Sequence, residues 1–285
     1  MEQKTIFITG CSTGIGHDAA LSLSRRGHRV IASCRKAEDV SKLIELGLEA
    51  VRMDMNDEHS IASAFTEVLD KTSGHLDILI NNAGYGQAGA LEDISRDALR
   101  EQFETNVFGL MNLTKLAIPV MRKQGRGRII NISSVLGLIS MPFRGAYNAS
   151  KYAVEGLSDT LRLELKPSGI EVICIEPGPI ASNFRDNVID NSLKKIDQNN
   201  SHFRQQYHRM LNGYREQKED SMFTKGTDAV ISKLVHAIES KKPKAKYPVT
   251  FPAHLFAILK RILTVKMLDR FISFLSKKEL GTDTN

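Results

Sequence analysis

Residues Thr5–Ser33 read TIFITGCSTGIGHDAALSLSRRGHRVIAS. An apolar run, Thr5–Thr9, meets a turn spaced by Gly10, Gly14 and Gly16. A helix-period segment, Ile15–Arg26, follows, and a second apolar run, Arg29–Ser33, closes the unit. Strand, glycine turn, helix, strand is the opening unit of an open α/β sheet.

The pattern repeats outward from there. Further strand-like runs lie at Leu48–Met53, Leu76–Ile80, Gly127–Ile132 and Glu171–Ile175. Helical periodicity fills Glu38–Leu46, Glu58–Lys71, Arg96–Lys123 and Ala146–Lys166. The alternation predicts a parallel sheet with helices on both faces, and right-handed crossovers make it a single, doubly wound, Rossmann-like α/β domain. We place that domain at residues 1–250. A polar stretch, residues 182–227, interrupts the alternation and reads as an insertion near the substrate mouth. Residues 251–285 read as an amphipathic helical extension of the same domain.

Composition narrows the function classes. Hydrophobic residues make up 41% and charged residues 25% of 285 positions, an ordinary globular balance. The chain opens directly on a strand, so no signal peptide is expected, and no apolar run approaches the ~18 residues that span a bilayer. Cys11, Cys34 and Cys174 are scattered, as in a reducing cytoplasm. No histidine or cysteine spacing suits a metal, so none is expected. There is no G-x-S-x-G elbow. The net charge of +6 is dispersed apart from Lys241, Lys242, Lys244 and Lys246, and no aromatic platform interleaves it, so nucleic acid is not the expected partner.

The turn Thr9-Gly10-Cys11-Ser12-Thr13-Gly14-Ile15-Gly16 suits a pyrophosphate. Its glycines let the backbone approach closely, and the next helix offers N-terminal N–H groups to the anion. The second strand ends in Ser33-Cys34-Arg35-Lys36, with no carboxylate before Glu38. A carboxylate there would accept from a ribose 2′-hydroxyl; the planar fork of Arg35 instead suits a 2′-phosphate, favouring NADP over NAD. Asp54, after the third strand, can accept from an adenine amino group. Asn82, Ala83 and Gly84, after the fourth, let the backbone approach the adenosine side.

Ser134 precedes Tyr147 by thirteen residues, and Lys151 follows it by four, so the last two share a helix face. A tyrosine of pKa about 10 is a poor base, and a nearby ammonium favours its phenolate. Two unit charges ~4 Å apart at an effective dielectric of about 20 interact by about 4 kcal/mol, enough to bring the phenol within reach of neutral pH. Such a group suits proton transfer at a carbonyl or alcohol oxygen.

Taken together, TGCSTGIG, NNAG, Ser134 with YNASK, and Pro177-Gly178 resemble the short-chain dehydrogenase/reductase family in order and spacing, over roughly residues 4–240. The bacterial NADP-dependent aldehyde reductases and the retinol/17β-hydroxysteroid branch look nearest. The resemblance implies Tyr147 as general acid/base, Lys151 as its partner and ribose ligand, and Ser134 as the residue orienting the substrate oxygen, with Ser133 as competitor. It implies that Asn106 positions a water behind Lys151, and that Pro177, Gly178, Ile180 and Ser182 meet the nicotinamide. Ser182 stands where the family commonly has threonine.

The expected activity is hydride transfer between NADP(H) and a lipophilic aldehyde or ketone. Leu136, Met141, Phe143, Ile180 and Phe184 supply an apolar pocket. Alternatives are a retinoid or steroid alcohol oxidation and a non-catalytic dinucleotide sensor. A homo-oligomer is expected. In the tail PAHLFAILKRILTVKMLDRFISFL, apolar residues at helical spacing face Lys260, Arg261, Lys266 and Arg270. This pattern suits packing on protein or peripheral contact with an anionic membrane.

Overall fold

The computed structural model of the chain describes residues 2–182, 184, 188, 195–216 and 223–280. The rest of the 182–227 insertion and residues 281–285 of the tail lie outside it. Seven parallel strands form one sheet in the order β3-β2-β1-β4-β5-β6-β7. They are β1 Thr5–Ile8, β2 Arg29–Cys34, β3 Glu49–Arg52, β4 Ile78–Asn81, β5 Gly127–Ile132, β6 Ile170–Glu176 and β7 Lys246–Pro248. The order reverses between β1 and β4, which opens a crevice at the carboxyl ends of those strands, where open α/β sheets bind ligands.

The strands are apolar on both sides because both sides are covered. Ile6 and Ile8 point to one face of β1 and Phe7 to the other. The first face packs Ile80, Ile132 and Ile175 against α1 (Gly14–Arg25), α2 (Ala37–Glu45) and α8 (Thr227–Glu239), through Leu23, Leu43 and Leu234. The second packs Phe7, Leu79 and Ile129 against α3 (Glu58–Lys71), α5 (Leu110–Gln124) and α6 (Gly145–Glu164), through Phe65, Leu113 and Leu161.

Two departures from the sequence reading matter for the site. The expected helix Arg96–Lys123 is broken: α4 (Arg96–Phe103) passes into a π-helical turn, Glu104–Gly109, before α5 begins. Gly109 permits this packing, since a methyl group there would overlap the Met55 carbonyl. The three-residue strand β7 carries no apolar run and was not expected. The tail, expected as an amphipathic helical extension, forms two helices, α9 (Phe251–Ile262) and α10 (Val265–Leu280). Thr250 and Pro252 start α9, and Leu263, at φ −83° and ψ 143°, ends it.

Two smaller apolar clusters flank the crevice. In one, α7 (Arg204–Glu216) sets Tyr207 and Met210 on Ala88, Ala90 and Phe143. The Tyr207 hydroxyl accepts from the Ala90 N–H at 2.8 Å and donates to Asp93 Oδ2 at 2.8 Å. In the other, α9 and α10 set Ala253, Phe256 and Ile272 on Val135, Leu136 and Ile139. Among the described residues no helix is long and apolar enough to cross a membrane.

Candidate active site

Ser134 and Tyr147 come from different elements. Ser134 leaves the end of β5 and caps a 3-10 turn, Val135–Gly137, its Oγ accepting from Leu136 N–H at 3.1 Å. Tyr147 and Lys151 lie one turn apart on α6. The Ser134 and Tyr147 hydroxyls share a hydrogen bond. The competitor Ser133 makes no such bond: a methyl group on Gly137 would sit 2.9 Å from its Oγ, beside Glu155 and the Lys151 carbonyl, and that hydroxyl has no partner among the described residues. Of the two serines, Ser134 is the one that hydrogen-bonds Tyr147.

Burial, rather than the ammonium, sets the protonation of the pair. Removal from water pushes the Tyr147 phenol up to about 12, and the Ser134 hydrogen bond offsets part of that. Burial also brings Lys151 down to about 8, against the field of Glu155 one turn further along α6. The expected lowering of the tyrosine pKa by Lys151 therefore does not hold in this structure. The Lys151 Nζ donates to the Ile132 carbonyl at 2.7 Å and lies 5.7 Å from the Tyr147 ring centre. An ammonium anchored to a carbonyl, without a direct bond to the phenol, stabilises the phenolate less than desolvation disfavours it.

Asn106 occupies the π-helical turn and is buried. Its Oδ1 accepts from Tyr85 N–H at 3.1 Å; its Nδ2 donates to the Tyr85 carbonyl at 3.0 Å and to Ser150 Oγ at 3.0 Å. Ser150 donates in turn to the Tyr147 carbonyl at 2.8 Å. Asn106 thus ties the loop after β4 to the first turn of α6. Sequence reading passed over Ser150, although it stands directly before Lys151 in YNASK, and over Glu155. Glu155 is buried and accepts from Lys246 of β7 at 2.7 Å.

The glycine turn is stitched to the NNAG loop. Thr9 Oγ1 accepts from the Asn82 and Ala83 N–H groups at 3.1 and 2.9 Å, and Asn82 Nδ2 donates to the Thr9 and Gly10 carbonyls at 2.9 and 3.0 Å. Gly10, at φ +71°, lies so close that a Cβ would come 2.7 Å from Ala83 Cα. Asn81 Nδ2 donates across to Asn131 of β5 at 2.8 Å. Ser12 and Thr13 are exposed at the start of α1, which has no side-chain cap and no acid in its first turn. Ile15 packs at the edge of the main core beside the buried Gly16. The free N–H groups, the exposed hydroxyls and the absent carboxylate fit a dinucleotide pyrophosphate.

Arg35 is exposed at the end of β2, and no carboxylate among the described residues pairs with it. Asp54 lies beyond β3, where one carboxylate oxygen already accepts from Asn56 N–H at 3.0 Å. Gly84 sits beneath Asn106, 3.0 Å separating its ideal Cβ from Oδ1. After β6, the Pro177 carbonyl accepts from Val135 N–H at 2.8 Å, joining this loop to the Ser134 turn. Gly178 packs against Thr250, where a side chain would not fit. Ile180 pairs with Lys225 and joins the main core. Ser182 crosses back to the glycine turn; a methyl on Gly14 would sit 3.5 Å from its Cβ.

The apolar residues expected around the substrate divide among three places. Phe184 faces Tyr147, ring centres 5.6 Å apart. Leu136 and Met141 share the α9–α10 cluster with Tyr147. Phe143 instead packs edge-on against Phe203 and Tyr207, at 5.3 and 5.7 Å, and is held at φ +59°, rare for a bulky residue. Ile180 belongs to the main core.

Residues 4–192 match the family model described as short chain dehydrogenase. The chain is 43% identical over 270 residues to the uncharacterized oxidoreductase YbbO of Escherichia coli (strain K12), covering 95% of this chain and 94% of that one. It is 35% identical to the 3-ketodihydrosphingosine reductase of Bacteroides thetaiotaomicron over 82% of this chain and 84% of that one. The crystal structure of a short-chain dehydrogenase from Streptomyces avermitilis superposes with a TM-score of 0.74 at 26% identity, covering 99% of this chain and 100% of that one.

Proposed function

The chain belongs to the short-chain dehydrogenase family, and from that premise we propose an NADP(H)-dependent oxidoreductase that reduces a lipophilic aldehyde or ketone. The observation that carries this reading is the Ser134–Tyr147–Lys151 constellation at the carboxyl ends of β5 and β6, with Ser134 and Lys151 buried, Tyr147 half-buried, and Asn106 and Ser150 bracing it from behind.

The cofactor supplies hydride at its nicotinamide ring. The chain supplies everything around that transfer. Ser12, Thr13 and the first N–H groups of α1 hold the pyrophosphate, with Gly10, Gly14, Ile15 and Gly16 shaping its turn. Arg35 takes the extra phosphate; Asp54, Asn82, Ala83 and Gly84 line the adenosine end. Pro177, Gly178, Ile180 and Ser182 form the nicotinamide wall. Ser134 and Tyr147 donate to the carbonyl oxygen. Tyr147, protonated throughout the neutral range, gives its proton to the developing alkoxide. Lys151, poised near neutrality at about 8, is suited to return a proton.

The substrate class rests on the apolar surroundings of Tyr147 and on the Bacteroides relative, whose name specifies a keto-lipid reductase. Loss of NADPH absorbance across alkanals of increasing length tests it. kcat/KM should rise with chain length; a flat or falling series removes the lipophilic reading. Tyr147→Phe should lower kcat by about 100-fold or more while cofactor affinity stays nearly unchanged. Activity within a few-fold of wild type would remove the tyrosine from its role.

A further inference from the structure

The C-terminal hairpin has two faces of different character. The inner face is accounted for. Phe256 of α9 meets Phe271 of α10 with ring centres 6.0 Å apart, and the pair packs with Ile272 over Leu136 and Tyr147. The outer face has no apolar protein partner among the described residues. Ile262 is 71%, Val265 75% and Phe274 71% exposed, and Ile258 and Met267 are more than half exposed. On α10, Met267 and Phe274 are seven residues apart, and Lys266, Arg270 and Phe274 follow at steps of four, so all lie along one stripe.

Charge chooses among the surfaces that could cover this face. Between Phe251 and Lys277 stand five cations, Lys260, Arg261, Lys266, Arg270 and Lys277, against one carboxylate, Asp269, a net charge of +4. The whole chain carries +6, so most of its excess positive charge lies on these two helices. A second copy of the same face would bring like charges together, and a neutral apolar partner would give Lys266 and Arg270 no opposite charge to meet. Cations interleaved with exposed large apolar residues on an amphipathic helix match the boundary of an anionic bilayer, headgroup outside and acyl chain within.

We propose that the α9–α10 hairpin docks its outer face on an anionic lipid surface, with Ile262, Val265 and Phe274 inserted and Lys266 and Arg270 at the headgroups. Tyr147 then lies about one helix diameter, ~10–12 Å, from the lipid. Taken with the oxidoreductase reading, on which this second part rests, a carbonyl dissolved in the bilayer reaches the site directly from the membrane.

Co-sedimentation of the full chain with vesicles tests the docking without cofactor or substrate. Phosphatidylcholine vesicles containing phosphatidylglycerol should pellet the chain at least about tenfold better than phosphatidylcholine alone, with the difference shrinking at high salt. Lys266→Glu/Arg270→Glu and Ile262→Glu/Phe274→Glu should each remove at least about tenfold of that binding. All four side chains are exposed, so the melting temperature should hold. Equal recovery in the supernatant with both vesicle types overturns the proposal. So does a concentration-dependent dimer that Ile262→Glu/Phe274→Glu dissolves and anionic vesicles do not. Anionic vesicles should also raise turnover of a long-chain aldehyde severalfold in wild type and not in Ile262→Glu/Phe274→Glu. A chain that pellets but turns over no carbonyl supports docking and overturns only the oxidoreductase reading.

Discussion

Lys151 holds a charge in the protein interior against the cost of desolvation, and stability must register it. Its folded pKa, about 8, lies below the ordinary 10.5. Between those values the unfolded chain binds more protons than the native one, so this group makes stability rise with pH across that window. Lys151→Met lacks the effect. Relative to that variant, wild type should gain about 2 kcal/mol between pH 7 and pH 10, read by denaturant unfolding at both pH values. A difference independent of pH would mean that the lysine is not desolvated. Arg35 acts at the same scale, through a single side chain. Arg35→Asp replaces a phosphate ligand by an acceptor for a ribose hydroxyl. The ratio of kcat/KM for NADPH to that for NADH should fall by about tenfold or more. An unchanged ratio would move the 2′-phosphate contact elsewhere. The Tyr-Lys pair was legible from its spacing; the direction of its pKa shifts was not. Spacing on a helix places two side chains on one face but says nothing of how deeply that face is buried, and here burial decides.

Elements differ in how openly the sequence declares them. β1, β4, β5 and β6 are covered on both faces and carry short apolar stretches, IFI, ILI, II and VICI, so the doubly wound sheet could be drawn in advance. β7 is only KYP; it is a strand because β6 offers it an edge, not because of its own composition. The π-helical turn escaped for a different reason. Apolar spacing continues through Glu104–Gly109, and one extra residue per turn does not interrupt it. That turn carries Asn106, and its geometry depends on close approach at Gly109. Gly109→Ala forces a methyl into the Met55 carbonyl, where only backbone movement can relieve the overlap. It should cost about 2 kcal/mol or more in stability and lower kcat through Asn106, measured by thermal melting and turnover together. A variant as stable and active as wild type would show that the π turn is not needed.

Across the whole molecule, the two large cores on the sheet faces are continuous with the strands, whereas the two small clusters beside the crevice are held by α7, which lies between β6 and β7 in sequence, and by α9 and α10, which follow β7. The glycine turn, the Ser134 turn and α6 are fixed by the sheet itself. The wall beside Tyr147 is fixed by α9 and α10 and the neighbouring Phe143 cluster by α7, and both rest on a few aromatic contacts such as Phe256–Phe271 and Phe143–Tyr207. A site built this way has a rigid chemical end and covers that can open at less than the cost of global unfolding. Native-state hydrogen exchange should find amides of β4, β5 and β6 exchanging only with global unfolding. Amides of α9 and α10 should exchange through a smaller opening with a weaker denaturant dependence. Phe256→Ala removes the aromatic contact between the hairpin helices. It should bring that smaller opening down by about 3 kcal/mol while leaving the strand amides nearly untouched. If the hairpin amides instead track the strands in wild type and in the variant, the cover is part of the cooperative core, and substrate entry must use a path that leaves α9 and α10 in place.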